Sequence, residues 1–251
     1  MTERRRKIND FIQARSEASL SELRALVPGV SEMTIRRDLE ALEREGRIVR
    51  VHGGARSIKS LGNLVEDVFS KRSTINIERK QKIGEKAAAL IEEGSSIYLD
   101  SGSTLMEVAK RIPDVRLLIT TNGLNVALEL LHLEHATVDL LGGEVSRGSI
   151  SLFGPQAQEG ILRLNIDAAF IAATAFSEEA GFTCGSVHDR ALKNQVLAKA
   201  RRRIILMDST KIGKTMPHTF AQCSEIDMVI SDGEMPESAL AYFAARNVRV
   251  L

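Results

Sequence analysis

The chain has few of the residues that staple or anchor a protein. Its 251 residues include two cysteines, Cys184 and Cys223, far apart and without metal-ligand spacing. That excludes a disulfide scaffold, and the pair reads as reduced thiols in a cytoplasmic protein. No apolar run approaches the roughly 18–20 residues a membrane span needs. The charged stretch at 2–7 has no apolar core after it and does not read as a signal peptide. Internal repeats and low-complexity tracts are absent, and so is an excess of either charge: the net value is +1. With 43% hydrophobic and 27% charged residues, the composition is globular and excludes a disordered chain.

The near-neutral total hides an asymmetry. Residues 1–56 hold 12 Arg and Lys against 9 Asp and Glu (+3), and the remainder hold 22 against 24 (−2). The N-terminal part leans toward a nucleic-acid partner. It also reads as short helices. Ile8, Phe11 and Ile12 form one stripe of a first helix over 4–15. A second opens at Leu20-Ser21-Glu22, turns Leu23, Leu26 and Val27 inward, and stops at Pro28-Gly29. Ser31 is an N-cap for a third, with Ile35, Leu39 and Leu42 as its buried stripe and Gly46 at its C-terminal end. An alternating strand, Ile48 to His52, and the turn Gly53-Gly54 complete a three-helix-plus-hairpin plan.

On a helical wheel centred on Ile35, Leu39 and Leu42 fall within about 40°, while Met33, Thr34, Arg37, Ala41 and Arg44 fall at roughly 160–260°. The outer face therefore carries Thr34 and Arg37 near the helix N-terminus, where a recognition helix meets base edges. Arg36 on the flank suits a phosphate. Arg50 and His52 share one face of the wing strand, and Gly53-Gly54 leaves room for a phosphate. An isolated arginine pair is more often a solvated face, but cap, turn, face and wing agree here. The run from Ser31 to Ala55, with T-I-R-R-D-L, L-x-x-x-G and R-x-H-G-G-A in order, resembles the N-terminal signature of the DeoR family of bacterial regulators. Pro28-Gly29-Val30 departs from it where an aromatic-Gly-Val turn is common.

Residues 57–73 read as a connector in which Val65 and Phe69 pack. Over 74–251 the rhythm changes to α/β. Apolar runs at 97–99, 117–119, 138–141, 168–171, 204–207, 228–230 and 248–250 alternate with helical segments at 78–92, 103–111, 123–134, 189–202 and 236–247. That order predicts a mainly parallel sheet covered on both faces, and ligands of such sheets sit at the carboxyl ends of strands. Those ends are polar: Asp100-Ser101-Gly102-Ser103-Thr104, Thr120-Thr121-Asn122-Gly123, Gly142-Gly143 followed by Arg147 and Ser149, Asp208 to Lys211, and Ser231-Asp232. Each alone reads as a cap, turn or surface charge, and the case for an anion site rests on their recurrence.

This half is similar to the DeoR-type sensor domain, with D-x-G-x-T, T-N-x-L-N, L-x-G-G-E, the pair Asp189 and Lys193, and D-x-x-K-x-G in order. The resemblance implies a fold related to ribose-5-phosphate isomerase, in which Ser101-Gly102-Ser103-Thr104 would hold a phosphate. It also implies a phosphorylated sugar or sugar-derived effector, and a repressor acting as a homodimer or homotetramer on double-stranded DNA. No cofactor or metal is called for. The rival readings are a transcriptional activator and an isomerase with a DNA-binding appendage, for which Asp189, Lys193, Asp208 and Lys211 are the available groups. The acidic cluster such an enzyme carries after its central strand is replaced here by Ala172-Ala173-Thr174-Ala175.

Overall fold

The structure, a computed structural model, describes residues 2–15, 17–45, 47–51, 53–57 and 69–251. Gly46, His52 and Val65 fall outside them, as do the side chains of Arg44 and Val49. The chain separates into two compact units, residues 1–65 and 66–251. No helix among the described residues is long and apolar enough to cross a membrane.

The first unit runs α1 (Glu3–Arg15), β1 (Glu17–Ser19), α2 (Leu20–Leu26), α3 (Glu32–Arg44), β2 (Ile48–Val51) and β3 (Gly54–Ser57). Its core is the expected set of stripes: Ile8, Ile12, Leu23, Val27, Ile35, Leu39, Leu42 and Ile48 are buried, with Phe11 and Leu26 packed against them. Ser31 caps α3 through its side chain, which accepts from the Thr34 N–H. The wing is three-stranded rather than a simple hairpin, in the antiparallel order β1-β3-β2. The three-residue β1 is too short to show alternation in sequence.

The second unit opens with α4 (Phe69–Arg72) and α5 (Ile77–Ala88) and then enters the sheet. Its strands are β4 (Ser96–Leu99), β5 (Leu117–Thr121), β6 (Ala136–Leu140), β9 (Ile166–Ala172), β12 (Ala200–Leu206), β14 (Met228–Ile230) and β15 (Arg249–Val250), all parallel, in the order β15-β14-β12-β9-β4-β5-β6. Helices α6 (Ser103–Ala109) and α7 (Leu124–Leu130) follow β4 and β5, α8 (Pro155–Leu162) precedes β9, α9 (Val187–Lys199) precedes β12, and α10 (Glu237–Ala244) follows β14. Alternate side chains feed two cores. Ile97, Leu99, Phe170, Ile204 and Leu206 pack with Ile83 of α5, Val108 of α6 and Val126 of α7. Tyr98, Ala169, Ile171 and Ile205 pack with Ile161, Val196 and Phe243 of α8, α9 and α10. Both faces are covered, as a parallel sheet requires.

Two small antiparallel additions were not legible as strands: the hairpin β7 (Glu144–Ser146) and β8 (Ser151–Phe153), and the sheet of β10 (Ala175–Ser177), β11 (Gly181–Cys184) and β13 (His218–Ala221). The helix expected to reach residue 202 ends at Lys199. Residues 200–206 form a strand beside β9 instead, with Ala200 opposite Ile166 and Arg202 opposite Ala168, so the pairing begins within the last turn expected of the helix.

Gly84 lies in the interior of α5, where alanine is ordinarily the better residue by about 0.5–1 kcal/mol. Here a Cβ would stand 2.5 Å from the Glu107 carbonyl oxygen of α6. Gly84→Ala is therefore expected to destabilise by about 1–3 kcal/mol, the cost of overpacking. Urea unfolding checks this, and a gain in stability would contradict the packing argument.

Candidate functional site

In the first unit, the buried side of α3 includes one charge. Asp38, 3% exposed, accepts from Arg4 Nε at 2.6 Å and Arg5 Nε at 3.4 Å, which ties α1 to α3. The Asp38 hydrogen bond and charge raise the Arg4 pKa above its ordinary value. On the opposite face Met33 is 62% exposed, and Arg36 and Arg37 are exposed beside it. Arg36 is held by Glu32 at 2.7 Å, and Arg50 of β2 by Glu43 at 2.8 Å and Glu40 at 2.9 Å. Arg37 has no acidic partner among the described residues, so it can meet an anion or base edge without first breaking an ion pair. Thr34 is half-buried, its hydroxyl 2.9 Å from that of Ser31. Gly53 is exposed and its carbonyl accepts from Leu20 N–H at 2.8 Å. Gly54 is buried, and a Cβ there would lie 2.2 Å from the Ala18 carbonyl oxygen, so packing against β1 demands glycine.

In the second unit the chain runs β4-β5-β6 in one direction and then β9-β12-β14-β15 in the other. The reversal falls between β4 and β9, and connections leaving such a pair to opposite sides open a crevice at the strand ends. Asp100 stands at that point, 2% exposed. Its Oδ1 accepts from Ser101 N–H at 2.8 Å, and its Oδ2 accepts from Ala172 N–H at 3.1 Å and from the Lys193 ammonium. Lys193, on α9, also donates to the Ala172 carbonyl at 2.9 Å. Burial opposes its charge, but Asp100 and Asp189 outweigh burial and its pKa is raised. Asp100 and Lys193 are therefore first of all partners of one another, forming the floor of the crevice.

Beside this floor, Tyr98 donates to Asn122 Oδ1 at 3.0 Å, Asn122 donates to the Leu152 carbonyl at 3.2 Å, and Thr121 Oγ1 accepts from Gly123 N–H at 3.0 Å. Ser101 is half-exposed, and Gly102, Ser103 and Thr104 are buried behind it. Gly142 and Gly143 serve the β7–β8 hairpin: a Cβ on Gly143 would stand 2.3 Å from the Phe153 carbonyl oxygen. Arg147 is exposed in the hairpin turn, and no contact among the described residues links it to Asp100.

A second group gathers at the ends of β12 and β14. Asp208 accepts from Thr210 N–H at 3.1 Å, and Asp232 accepts from Ser209 N–H at 3.0 Å. Arg79 of α5 donates to Ser209 and Asp232 and pairs with Glu234 at 2.7 Å. Lys80, 5% exposed, donates to the carbonyls of Arg72 and, at 2.6 Å, Ile75. Burial and then the charge of Lys211 push its pKa down to about 8. Arg79 and Lys80 were not among the expected site residues. The signal for Lys80 is its place on the apolar stripe with Ile83 and Ala87, where a lysine breaks the pattern. Asn125, the last residue of T-N-x-L-N, has both its amide atoms buried without a hydrogen-bond partner among the described residues, a condition that calls for a missing polar group.

Together the units define a class: a winged helix-turn-helix followed in the chain by a parallel α/β domain with polar strand ends. A family model described as a DeoR-like helix-turn-helix domain matches residues 4–61, and one described as the DeoR C-terminal sensor domain matches residues 75–233. The HTH-type transcriptional regulator GlpR of Haloferax volcanii is 33% identical over 250 residues, 99% of this chain and 96% of that one. The putative aga operon transcriptional repressor of Escherichia coli O157:H7 is 32% identical over 251 residues, 100% of this chain and 93% of that one. Among solved structures, ribose 5-phosphate isomerase A from Methanocaldococcus jannaschii matches with a TM-score of 0.40 at 16% identity, over 55% of each chain. The chain belongs to the DeoR family.

Two outcomes follow. Lys193→Met leaves Asp100 buried without its cation, and a broken buried pair costs about 3–5 kcal/mol; urea unfolding reads it, and a loss under about 1 kcal/mol would reassign the pair to a solvated role. For Lys80, the unfolded chain binds more protons than the folded one between about pH 8 and the ordinary lysine value, so this residue makes stability rise with pH across that window. Lys80→Met should flatten the rise in melting temperature there, and an unchanged profile would contradict the assignment.

Proposed function

We propose that the chain represses carbohydrate-metabolism genes in the cytoplasm and leaves its operator when a phosphorylated sugar or sugar-derived anion binds at the strand ends of its sensor unit. What carries the effector reading is the pair of cations at the β12 end. Lys80 donates to backbone carbonyls and feels Lys211 as a like charge, with Asp208 and Glu107 only partly offsetting burial and that repulsion. Like charges gathered in a partly desolvated place are stabilised by an anion between them. The Asn125 amide offers a donor and an acceptor suited to hydroxyl groups of the same ligand.

DNA is read by the outer face of α3. Arg37 meets a base edge, with Ser31, Met33, Thr34 and Arg44 beside it; Arg36, Arg50, His52 and the Gly53-Gly54 turn address the phosphate backbone. In the sensor unit, residues 101–104 together with Thr121, Asn122, Asp189 and Lys211 line the ligand, and Gly142, Gly143 and Arg147 form its rim. Residues 1–56 act as reader, 57–73 as connector and 74–251 as sensor. The chain works as a homodimer or homotetramer, which the exposed Leu128, Leu131 and Leu140 around α7 and the edge strand β6 support.

The site binds without turnover. Aldose–ketose isomerisation needs a carboxylate free to take a proton from carbon, and both oxygens of Asp100 are already engaged.

Titrating a panel of pentose and hexose phosphates into a labelled operator complex at constant salt should release the DNA with at least one member. Tightening would make the protein an activator, and no response to any member would overturn the effector reading. Incubation with ribose 5-phosphate should yield no ketose; sustained turnover would establish an enzyme. Arg37→Ala should cost about 1–3 kcal/mol at one base position. A uniform loss across all sequences would assign Arg37 to a phosphate.

A further inference from the structure

The cations at the strand ends have a third member, and it comes from outside the sheet. Helix α4 is a single turn in which no residue is buried. One turn has little stability of its own, and backbone bonds at both of its ends help to hold it. At the start, Phe69 N–H donates to the Gly148 carbonyl in the β7–β8 hairpin at 2.7 Å. At the end, the buried Lys80 ammonium takes the Arg72 carbonyl and then that of Ile75. These bonds aim the Arg72 side chain at the loop after β4: its guanidinium Nη1 lies 3.7 Å from where a Cβ of Gly102 would be. Gly102 has φ of 115°, a conformation glycine adopts readily, and without a side chain the space above its backbone stays open. Arg72 and Lys211 act on Lys80 as like charges, and Asp208 and Glu107 as opposite ones; of the three cations, Arg72 is the one whose side chain reaches Gly102.

We propose that Arg72 is an anion-binding residue of the effector site, positioned by Lys80, so that a phosphate seated at the Ser101–Gly102 loop also fixes α4. This rests on the strand-end phosphate reading and adds to it the residue that transmits occupancy. A guanidinium fork offers two parallel donors to a phosphate, which a lysine cannot reproduce. In sequence α4 comes directly after residues 58–68. A ligand held by Arg72 therefore selects one position of the element at the head of the sensor unit.

The test uses the full chain and inorganic phosphate, with binding measured by calorimetry and backbone amide exchange followed by mass spectrometry. Phosphate should bind the wild type and slow exchange over residues 69–76. Arg72→Gln should weaken phosphate about tenfold or more, the loss expected for a charge-assisted pair, and Arg72→Lys should weaken it less. Lys80→Met should speed exchange over 69–76 in the phosphate-free protein; unchanged exchange there would overturn its positioning role. Should Arg72→Gln keep wild-type affinity while Lys211→Met loses it, the Arg72 assignment falls and the strand-end reading stands. If the wild type binds no phosphate, both fall. The exchange measurement on wild-type protein decides the case even where a variant fails to fold, because unprotected 69–76 residues in the phosphate-bound protein would overturn the proposal.

Discussion

The sensor unit is organised around one carboxylate. Asp100 sits where the sheet reverses its order, and it accepts from a loop, a neighbouring strand end and a helix together: Ser101, Ala172 and Lys193. A buried carboxylate is costly unless paired and fully hydrogen-bonded, and here both oxygens are engaged. The result is a rigid floor between β4 and β9 from which Ser101 and Gly102 project. Everything proposed about the ligand depends on that floor, since donors on a mobile loop could not discriminate one small anion from another.

Around the floor the polar groups divide by task. Arg79 is neutralised by Asp232 and Glu234 and ties α5 to the ends of β12 and β14. Lys80 is buried and feels the like charges of Lys211 and Arg72 against the opposite charges of Asp208 and Glu107, and the Asn125 amide has no hydrogen-bond partner among the described residues. The first kind of group builds the unit and the second kind awaits something. The same division appears in the first unit, where Arg4 and Arg5 close on buried Asp38 while Arg37 faces outward.

Much of this was legible in the sequence, because it follows from local patterns. The Ile35-Leu39-Leu42 stripe, the Ser31 cap and the seven apolar runs report backbone period and burial directly. The polar strand ends follow from the same reading, since a parallel sheet aims them at one rim. What local pattern cannot carry is the long-range pairing. Asp100 and Lys193 both stand out as polar residues at a strand end and on a helix, yet nothing local shows that they satisfy each other. Arg72 and Lys80 look like ordinary surface charge until the fold brings α4 and α5 to the strand ends. The strands Glu144–Ser146 and Ser151–Phe153 are too short to register a period of two, and residues 200–206 follow a helical run closely enough to hide the boundary at Lys199.

Linkage supplies the most direct test of the central claim, that one anion site governs DNA reading. The affinity of the releasing sugar phosphate should be measured on the free protein and on the operator complex at the same salt concentration. Coupling free energy is reciprocal, so the account predicts weaker binding to the operator complex, by the same factor with which that ligand weakens the operator. Equal affinity for the two forms would contradict it.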